Sequence, residues 1–348
     1  MDVVFSEAHA RHAPTQFMLR GNFAPMAETT ARAESLVAAA RQAGHRVTAP
    51  DDFGMGPLAA VHGLDYLEFL ETAHRRWMEL PGANAEIHPH SYPGRHMRTR
   101  PDSIAGQVGY YIGDMSAPMV AGTWAAAVAS AHASVQATEL VLAGAPVAYA
   151  LCRPPGHHAF ADQAGGFCFV NNVAVAAQHA RGKVGRVAIV DVDVHHGNGT
   201  QGIFYERSDV FFCSLHADPA TFYPYFAGYA GERGAGAGTG YTMNLPLAHG
   251  SGDNAYLDAL DRGLDAVRRY APDVLLVSLG FDAYERDPLG VLKISTDGFA
   301  AIAARIARLR LPTVLVQEGG YHVEDLGRNL VAFLAGFETA IGGGGRRG

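Results

Sequence analysis

Two acidic residues and a histidine alternate at the end of one apolar segment of the sequence. Asp191, Asp193 and His195 stand at the end of residues 186–190, a run that predicts a buried strand. Alternate side chains of a strand point to the same side, so these three can converge at one strand end. Carboxylates and an imidazole make a poor core but good ligands, and catalytic zinc takes three such protein ligands while keeping another position open. The motif therefore indicates a metal-dependent enzyme.

A third ligand must come from another part of the chain, and Asp282 is the candidate. It stands just past residues 274–280, a second apolar run that predicts a buried strand. In open α/β sheets, sites form outside the carboxyl ends of the strands. The predicted ligand set is therefore Asp193, His195 and Asp282. The alternative is that Asp282 only caps a following turn or helix.

Two adjacent histidines follow a third strand-like run and could supply acid–base chemistry. His157 and His158 come directly after an Arg-Pro-Pro-Gly segment, which predicts a rigid and non-helical backbone. Neutral imidazole is the usual general base near pH 7, and a neighbouring acid changes its charge state. Asp191 could tune one histidine, and Asn198 could orient the other without adding charge. The alternative is that the pair are ordinary polar loop residues.

A fourth apolar run, residues 313–316, leads into Gly319-Gly320-Tyr321. The two glycines allow unusual backbone angles and a close approach to a site. A phenol placed there can donate a hydrogen bond to a developing oxyanion, which gives Tyr321 a catalytic interpretation. The alternative is a packed tyrosine after a glycine turn.

Taken together, these motifs resemble the histone deacetylase and acetylpolyamine amidohydrolase family, and within it the bacterial acetylpolyamine amidohydrolases. The matching segments occur in the family's order over nearly the whole chain; they are residues 153–158, 165–172, 191–200, Asp282 and 318–321. The resemblance implies an α/β protein with a single-domain arginase/deacetylase-like fold, in which a mainly parallel central sheet is flanked by helices on both faces. The catalytic domain would span residues 1–341, followed by a flexible glycine-rich tail at 342–348.

The resemblance also implies a role for each motif. Asp193, His195 and Asp282 would bind one zinc ion, His158 would be the general base, and Tyr321 would stabilise the oxyanion. His157, paired with Asp191, would be the electrostatic partner, while Gly166 and Phe167 would line the substrate channel opposite Tyr223. A potassium ion would be bound, partly through backbone carbonyls, by Asp191, Asp193, His195, Ser214 and Leu215. A second alkali site would use Phe204, Arg207, Val210 and Tyr241.

The positions around the channel mouth depart from the pattern of acetylpolyamine enzymes, which place acidic residues there. The expected glutamates fall at Gln16, Ala105 and Ser116, all of which are neutral, although Asp114 is close enough to substitute for one. The expected function is hydrolysis of small N-acetylated amines such as acetylpolyamines. The alternative is a deacylase of acyl-lysine or of a neutral small-molecule amide.

Composition is consistent with one large α/β domain. The chain has 348 residues, 48% of them hydrophobic, and a formal net charge of −7, so nothing indicates a nucleic-acid-binding surface. Cys152, Cys168 and Cys213 lie in apolar runs and are expected to be buried, reduced thiols. No signal-peptide pattern and no membrane-length apolar stretch is present, which predicts a cytoplasmic protein that does not bind membranes.

Helical patterns alternate with the strand signals, which favours a parallel sheet covered on both faces. They are expected at residues 30–44, 124–144, 171–181, 253–270 and 296–309. The proline-rich segment 80–119 is too long for a simple connection and predicts a functional loop. The resemblance implies that this insertion packs against a second subunit and narrows the entrance, so a homodimer is expected. Its histidines, His88, His90 and His96, fit no ligand set and are interpreted as ordinary loop residues.

Two other classes of function compete with the deacetylase hypothesis. A manganese ureohydrolase of the arginase type shares the expected fold, but it requires a binuclear ligand set with more aspartates near the histidine, where His196-Gly197-Asn198 stands instead. A non-catalytic acyl-group binder would have lost a base or the tyrosine, yet His157, His158 and Tyr321 are all present. Both alternatives therefore explain fewer of the motifs.

Overall fold

The apolar runs of the sequence form one eight-stranded sheet in the computed structural model, which describes residues 1–342. The strands are β1 (Asp2–Val4), β2 (Gln16–Leu19), β3 (Asn22–Pro25), β4 (Arg46–Thr48), β5 (Val147–Ala150), β6 (Val187–Asp191), β7 (Val210–Ala217), β8 (Thr242–Leu247), β9 (Val274–Leu279) and β10 (Thr313–Gln317). The sheet order is β4-β1-β5-β10-β9-β6-β7-β8, and every neighbouring pair is parallel. β2 and β3 form a separate antiparallel hairpin.

The helices connect the strands, and five of them lie where the sequence predicted helices. They are α1 (Thr30–Gln42), α2 (Gly56–Ala59), α3 (Leu64–Trp77), α4 (Ile104–Tyr111), α5 (Thr123–Leu142), α6 (Asn172–Arg181), α7 (Asn198–Phe204), α8 (Asp253–Tyr270), α9 (Thr296–Ala307) and α10 (Val323–Gly342). The predicted ends at Gly44 and Gly144 lie two residues too far along the chain. Both glycines have a positive φ just beyond the helix, a backbone that ends helices and favours glycine.

The sheet is buried on both faces, so the predicted fold class is confirmed. In β6, Ala188 and Val190 contribute to the core on one face, whereas Val187 and Ile189 contribute to the core on the other. Helices α1, α8, α9 and α10 cover the first face, and α5 and α6 cover the second. A strand buried on both faces is apolar at successive positions, which explains the continuous apolar runs in the sequence.

The strand order determines where the chemistry can lie. The four strands that end in polar motifs, β5, β10, β9 and β6, are consecutive neighbours in the sheet. Their register places Val316 beside Ala150, Gln317 beside Leu279, and Asp191 beside Ser278. Because all four strands are parallel, the residues that follow them emerge at the same edge of the sheet.

Two predicted segments differ from expectation: the loop at 80–119 contains regular structure, and the tail at 342–348 is described only at its first residue. Segment 80–119 contains helix α4, and Ile87 pairs with Met119 in a β-bridge across its base. Helix α10 continues to Gly342, so the predicted tail begins inside a helix, and residues 343–348 lie outside the described part. Over residues 1–342, no helix combines the length and the apolar character needed to span a bilayer.

Candidate active site

Three side chains from two strand ends converge at the carboxyl edge of the sheet. Asp193 and His195 follow β6, Asp282 follows β9, and one ligand-type atom of each lies within 4.8 Å of the others. His195 Nδ1 is 3.2 Å from a carboxylate oxygen of Asp193 and 3.1 Å from one of Asp282. Within residues 1–342, this is the one group of three such side chains close enough to hold a metal ion.

Backbone amides hold the two carboxylates in place. Asp193 accepts hydrogen bonds from the amides of His195 and Gly319, and Asp282 accepts one from Val194. Gly319 is required by this packing, because a Cβ atom there would lie 2.1 Å from Asp282 Oδ2. Both carboxylates are fully buried. The site is therefore preorganised by the loops after β6 and β10.

The electrostatics of this group fit a bound cation. Burial by itself lowers the pKa of His195, but hydrogen bonds from the imidazole to Asp193 and Asp282 outweigh it and raise the pKa to about 9. The position between the two carboxylates thus favours positive charge. Two carboxylates and one imidazole are also a donor set that zinc accepts. The Phe222 ring stacks on the His195 ring, with ring centres 4.9 Å apart, and fixes the ring plane.

His157 lies between two buried aspartates and is held as a cation. Its Nδ1 is 3.0 Å from Asp191, and its Nε2 is 3.8 Å from Asp193. Burial lowers the pKa of His157, yet the negative charges of Asp191, Asp193 and Glu318 outweigh burial and raise the pKa well above its usual value. The residue types alone left open which histidine contacts Asp191, the family resemblance implied His157, and in the structure His157 makes that contact.

His158 has the opposite environment. Its Nδ1 is 2.6 Å from the side-chain oxygen of Asn198, which is neutral. Burial, followed by the nearby positive charges of His157 and His195, lowers the pKa of His158 well below its usual value. Because the Asn198 oxygen can only accept, the proton is held on Nδ1 and the lone pair of Nε2 is left for acid–base chemistry. His158 is thus the neutral member of the pair.

Glu318 joins the β5 loop to the β10 loop, a function that the sequence did not reveal. One carboxylate oxygen accepts hydrogen bonds from the amides of Gly156 and His157, at 2.7 and 3.1 Å. The other accepts one from the Ser278 hydroxyl on β9 at 3.0 Å. Burial raises the pKa of Glu318 to about 7. This side chain positions the histidine pair relative to the β9 and β10 strand ends.

Tyr321 follows Glu318 by three residues and is buried against Phe167 and Arg32. The Phe167 ring lies 5.6 Å away, and the Arg32 guanidinium lies 4.8 Å from the centre of the phenol ring. Burial raises the pKa of the phenol well above its usual value, and the charges of Asp282 and Asp193 raise it further, although Arg32 opposes them. Tyr321 therefore remains protonated and able to donate a hydrogen bond near the acidic cluster.

A buried charge cluster behind the site anchors the loops that carry these residues. Arg32 donates hydrogen bonds to the backbone carbonyls of Gly320 and Glu318, and Arg153 donates to those of His9 and Glu28. The Glu28 carboxylate lies 2.6 Å from Arg32 and 2.9 Å from Arg153. Nothing in the motif pattern identified Arg32 or Glu28, because they belong to an ordinary helix and its preceding turn.

The residues expected to line a substrate channel, Gly166, Phe167 and Tyr223, lie beside His158. Phe167 adopts a φ of +68°, and the preceding Gly166 lies so close to His158 that a Cβ atom would be 2.4 Å from its ring. Tyr223 faces this segment, with its ring 5.0 Å from that of His158. Its hydroxyl donates to Asp114 at 2.7 Å, and Asp114 also accepts a hydrogen bond from the Gly166 amide. Asp114 thereby links Tyr223 to the Gly166 segment.

The predicted mouth residues form a neutral set. Gln16 lies on the β2–β3 hairpin opposite Pro25, Ala105 lies in α4, and the Ser116 amide donates to Asp114. Asp114, the acid that could replace the missing glutamates, is already bonded to Tyr223, Gly166 and Ser116. Its carboxylate oxygens are therefore already used as hydrogen-bond acceptors within the protein.

The residues of the two expected alkali sites lie on neighbouring segments. Asp191 on β6 and Ser214 on β7 are register partners, and both are fully buried. Near the other expected site, the Arg207 amide donates to the Phe204 carbonyl, and the Arg207 guanidinium lies 5.0 Å from the Phe204 ring centre. The three cysteines are free and buried, as the sequence predicted.

Comparison with known proteins adds to this geometry. The family model described as "Histone deacetylase domain" matches residues 26–337. The chain is 47% identical to an acetylpolyamine amidohydrolase of Burkholderia pseudomallei, covering 97% of this chain and 99% of that protein. It is 45% identical to acetylpolyamine amidohydrolase 1 of Pseudomonas aeruginosa, with the same coverage. A crystal structure of the acetylpolyamine aminohydrolase from Burkholderia pseudomallei superimposes with a TM-score of 0.94 at 46% identity, covering 98% of this chain and 99% of that one.

Proposed function

This chain belongs to the histone deacetylase family, and we propose that it is a zinc-dependent amidohydrolase that removes the acetyl group from small N-acetylated amines such as acetylpolyamines. One observation carries the proposal: the three-residue ligand group lies beside two histidines, of which His157 contacts Asp191 and Asp193 whereas His158 contacts the neutral Asn198. Relatives of 43–47% identity over 97% of the chain are named acetylpolyamine amidohydrolases, which supports the substrate class.

The chain's own residues divide the work of amide hydrolysis. His158, with its proton on Nδ1, takes a proton from the attacking water at Nε2 and later delivers one to the leaving amine. His157 contributes a fixed positive charge near the developing oxyanion, and the Tyr321 hydroxyl donates a hydrogen bond to it. Gly166, Phe167 and Tyr223 hold the acyl group and exclude water from the channel.

Asp193, His195 and Asp282 are the residues that would hold the metal. A zinc ion bound there would polarise the amide carbonyl and lower the pKa of a water molecule towards neutrality. Beside the ligands, we propose a potassium ion held by Asp191, Asp193, His195, Ser214 and Leu215. A second alkali ion would use Phe204, Arg207, Val210 and Tyr241.

Removal of the metal is expected to abolish amide hydrolysis without unfolding the chain. Dialysis against a chelator followed by one equivalent of zinc per chain should remove and then restore activity, because the ligands come from a preformed site. Asp282→Asn should lower the zinc content, whereas Asp297→Asn, which alters an exposed acid in the first turn of α9, should not. Elemental analysis measures the zinc content of each variant, and steady-state rates measure its hydrolytic activity. Two manganese ions per chain would instead support a ureohydrolase.

A second substrate class has a specific observation in its favour. Gln16, Ala105 and Ser116 are neutral, and Asp114 is already hydrogen-bonded to the channel walls. A mouth of this kind gives less attraction to a distal ammonium group than a ring of acids would. Acyl-lysine or a neutral small amide is therefore the alternative substrate, although the names of the relatives favour acetylpolyamines.

The substrate assignment is tested by kcat/KM on a matched panel. The panel combines N-acetylputrescine and N-acetylcadaverine with an acetyl-lysine peptide and a neutral small acetamide. We expect the acetylated diamines to give the highest kcat/KM, since they share the chemistry of the relatives' substrates. Better turnover of the neutral amide than of the diamines would contradict the polyamine assignment and would identify the neutral mouth as a change of substrate.

Three further properties complete the proposal. The segment 80–119, with its exposed Arg95, His96 and Met97, would pack against a second subunit in a homodimer. We propose a cytoplasmic location and no nucleic-acid or membrane partner, on the composition described above. A sedimentation measurement that gives the mass of a monomer would exclude the dimer.

A further inference from the structure

A buried carboxylate outside the ligand set contacts the backbone of Tyr321. Asp287 lies in the loop after β9 and is 8% exposed. One of its oxygens accepts hydrogen bonds from the amides of Tyr321 and His322, at 2.6 and 3.2 Å. The other accepts one from the amide of Leu289 at 2.9 Å. Both oxygens are thus used within the loops that surround the tyrosine.

The contact completes a clamp on a single peptide unit. The carbonyl of the Gly320–Tyr321 peptide accepts a hydrogen bond from Arg32, and the amide of the same peptide donates to Asp287. Gly320 has a φ of +120°, in a region that glycine enters freely, so the residue does not itself restrict the direction of the chain. Two buried charged side chains therefore fix the plane from which the Tyr321 side chain departs.

The same carboxylate also reaches the channel wall. Its bond to the Leu289 amide closes a tight turn, and Leu289 packs against a cluster formed by Phe17, Met26, Phe167 and Tyr321. Phe167 and Tyr321 are two of the residues to which the mechanism assigns substrate contacts. Asp287 thus links the backbone of the oxyanion donor with the packing around its ring.

We propose that Asp287 is a positioning residue that holds the Tyr321 hydroxyl at the reacting carbonyl through the Gly320–Tyr321 peptide. The inference rests on the proposed function, because it assigns Asp287 to the same hydrolytic step. A phenol displaced by a small distance still packs in the site but stabilises the oxyanion poorly, so the loss falls on kcat and not on KM.

A purely structural role is the competing explanation. Asp287 also accepts a hydrogen bond from the amide of His322, which directly precedes α10. In this alternative, the carboxylate does no more than anchor the start of that helix. That role would lower stability and would affect activity equally whether or not residue 321 carries a hydroxyl. A variant series in two backgrounds separates the two roles.

The test measures kcat and KM for Asp287→Asn in the native chain and in Tyr321→Phe. In the native chain, kcat is expected to fall by about a hundredfold, the scale of an ångström-sized misplacement. In the Tyr321→Phe background, the same substitution should change kcat by no more than about twofold, because the group it positions is already missing. An equal loss in both backgrounds would overturn the proposal.

A control variant and a readout without substrate test the role of Asp287 separately from the proposed function. Asp325→Asn alters a comparably buried carboxylate that contacts Tyr284 and Arg286 and should leave kcat unchanged. Hydrogen exchange of the amides at 320–322 gives a readout without substrate: Asp287→Asn should accelerate it. An unchanged rate of hydrogen exchange in Asp287→Asn would overturn the proposal that Asp287 holds the Gly320–Tyr321 peptide. A native chain without hydrolytic activity would contradict only the proposed function. Asp287→Ser, which retains one short acceptor, serves as the second variant if the asparagine form does not fold.

Discussion

Replacing His158 with alanine is expected to lower kcat by about a hundredfold to ten-thousandfold, the range that general acid–base catalysis contributes. Two features of the structure support an effect of this size. The Asn198 oxygen holds the imidazole proton on Nδ1, and the positive charges of His157 and His195, together with burial, lower the pKa of His158. The ring is therefore a neutral base at neutral pH, and alanine leaves nothing to replace it.

The measurement is kcat for N-acetylputrescine together with the zinc content of the same preparation. Zinc should be retained, because His158 is not among the ligands and its ring centre lies 5.8 Å from that of His195. His179→Ala is the matched control: that histidine lies in the last turn of α6, bonds Glu139 of α5, and its loss should leave kcat unaltered. A fully active, zinc-loaded His158→Ala protein would show that the base lies elsewhere, with His157 as the next residue to test.

Replacing Tyr321 with phenylalanine is expected to lower kcat by about a hundredfold to a thousandfold, the cost of one oxyanion donor. Phenylalanine retains the ring that packs against Phe167 and Arg32, so the fold and the zinc content should be unchanged. Only the hydroxyl is lost. Since burial raises the pKa of this phenol well above its usual value, the native side chain is protonated at all pH values at which the enzyme would be assayed.

Steady-state kinetics test this assignment, because the loss should appear in kcat with KM little affected. Tyr284→Phe removes another buried hydroxyl, one that contacts Asp325 and Arg328, and provides the control for loss of a phenol outside the site. Unchanged turnover in Tyr321→Phe would refute the role of the tyrosine. A large rise in KM at constant kcat would place the hydroxyl in substrate binding and not in stabilisation of the oxyanion.

The sequence predicted those features of the site that depend on short stretches of chain. Apolar runs identified β5, β6, β9 and β10. Because these strands are parallel, the residues that follow them lie at the same edge of the sheet. The convergence of Asp193, His195 and Asp282 follows from that rule and from the choice of residue types. The positions of five helices, α1, α5, α6, α8 and α9, were also predicted, because their apolar pattern is local.

Contacts between distant segments were not predictable in this way. Arg32 reaches the β10 loop across 288 residues of sequence, and Asp287 meets Tyr321 from a different strand end. The hydrogen bond between Tyr223 and Asp114 spans 109 residues, and it decides that the carboxylate of Asp114 is held by the Tyr223 hydroxyl. Each of these side chains belongs to a segment whose local pattern is that of an ordinary helix, loop or turn.

The sequence by itself determined which groups stand at the carboxyl edge of the sheet, because strand identity and side-chain alternation are set by neighbours along the chain. The tertiary structure alone decided their charge states and orientations. Burial removes water from every group, so the remaining charges dominate: two aspartates make His157 a cation, and an uncharged amide leaves His158 neutral. Adjacent residues of the same type thus acquire opposite properties from partners that only the folded chain brings together.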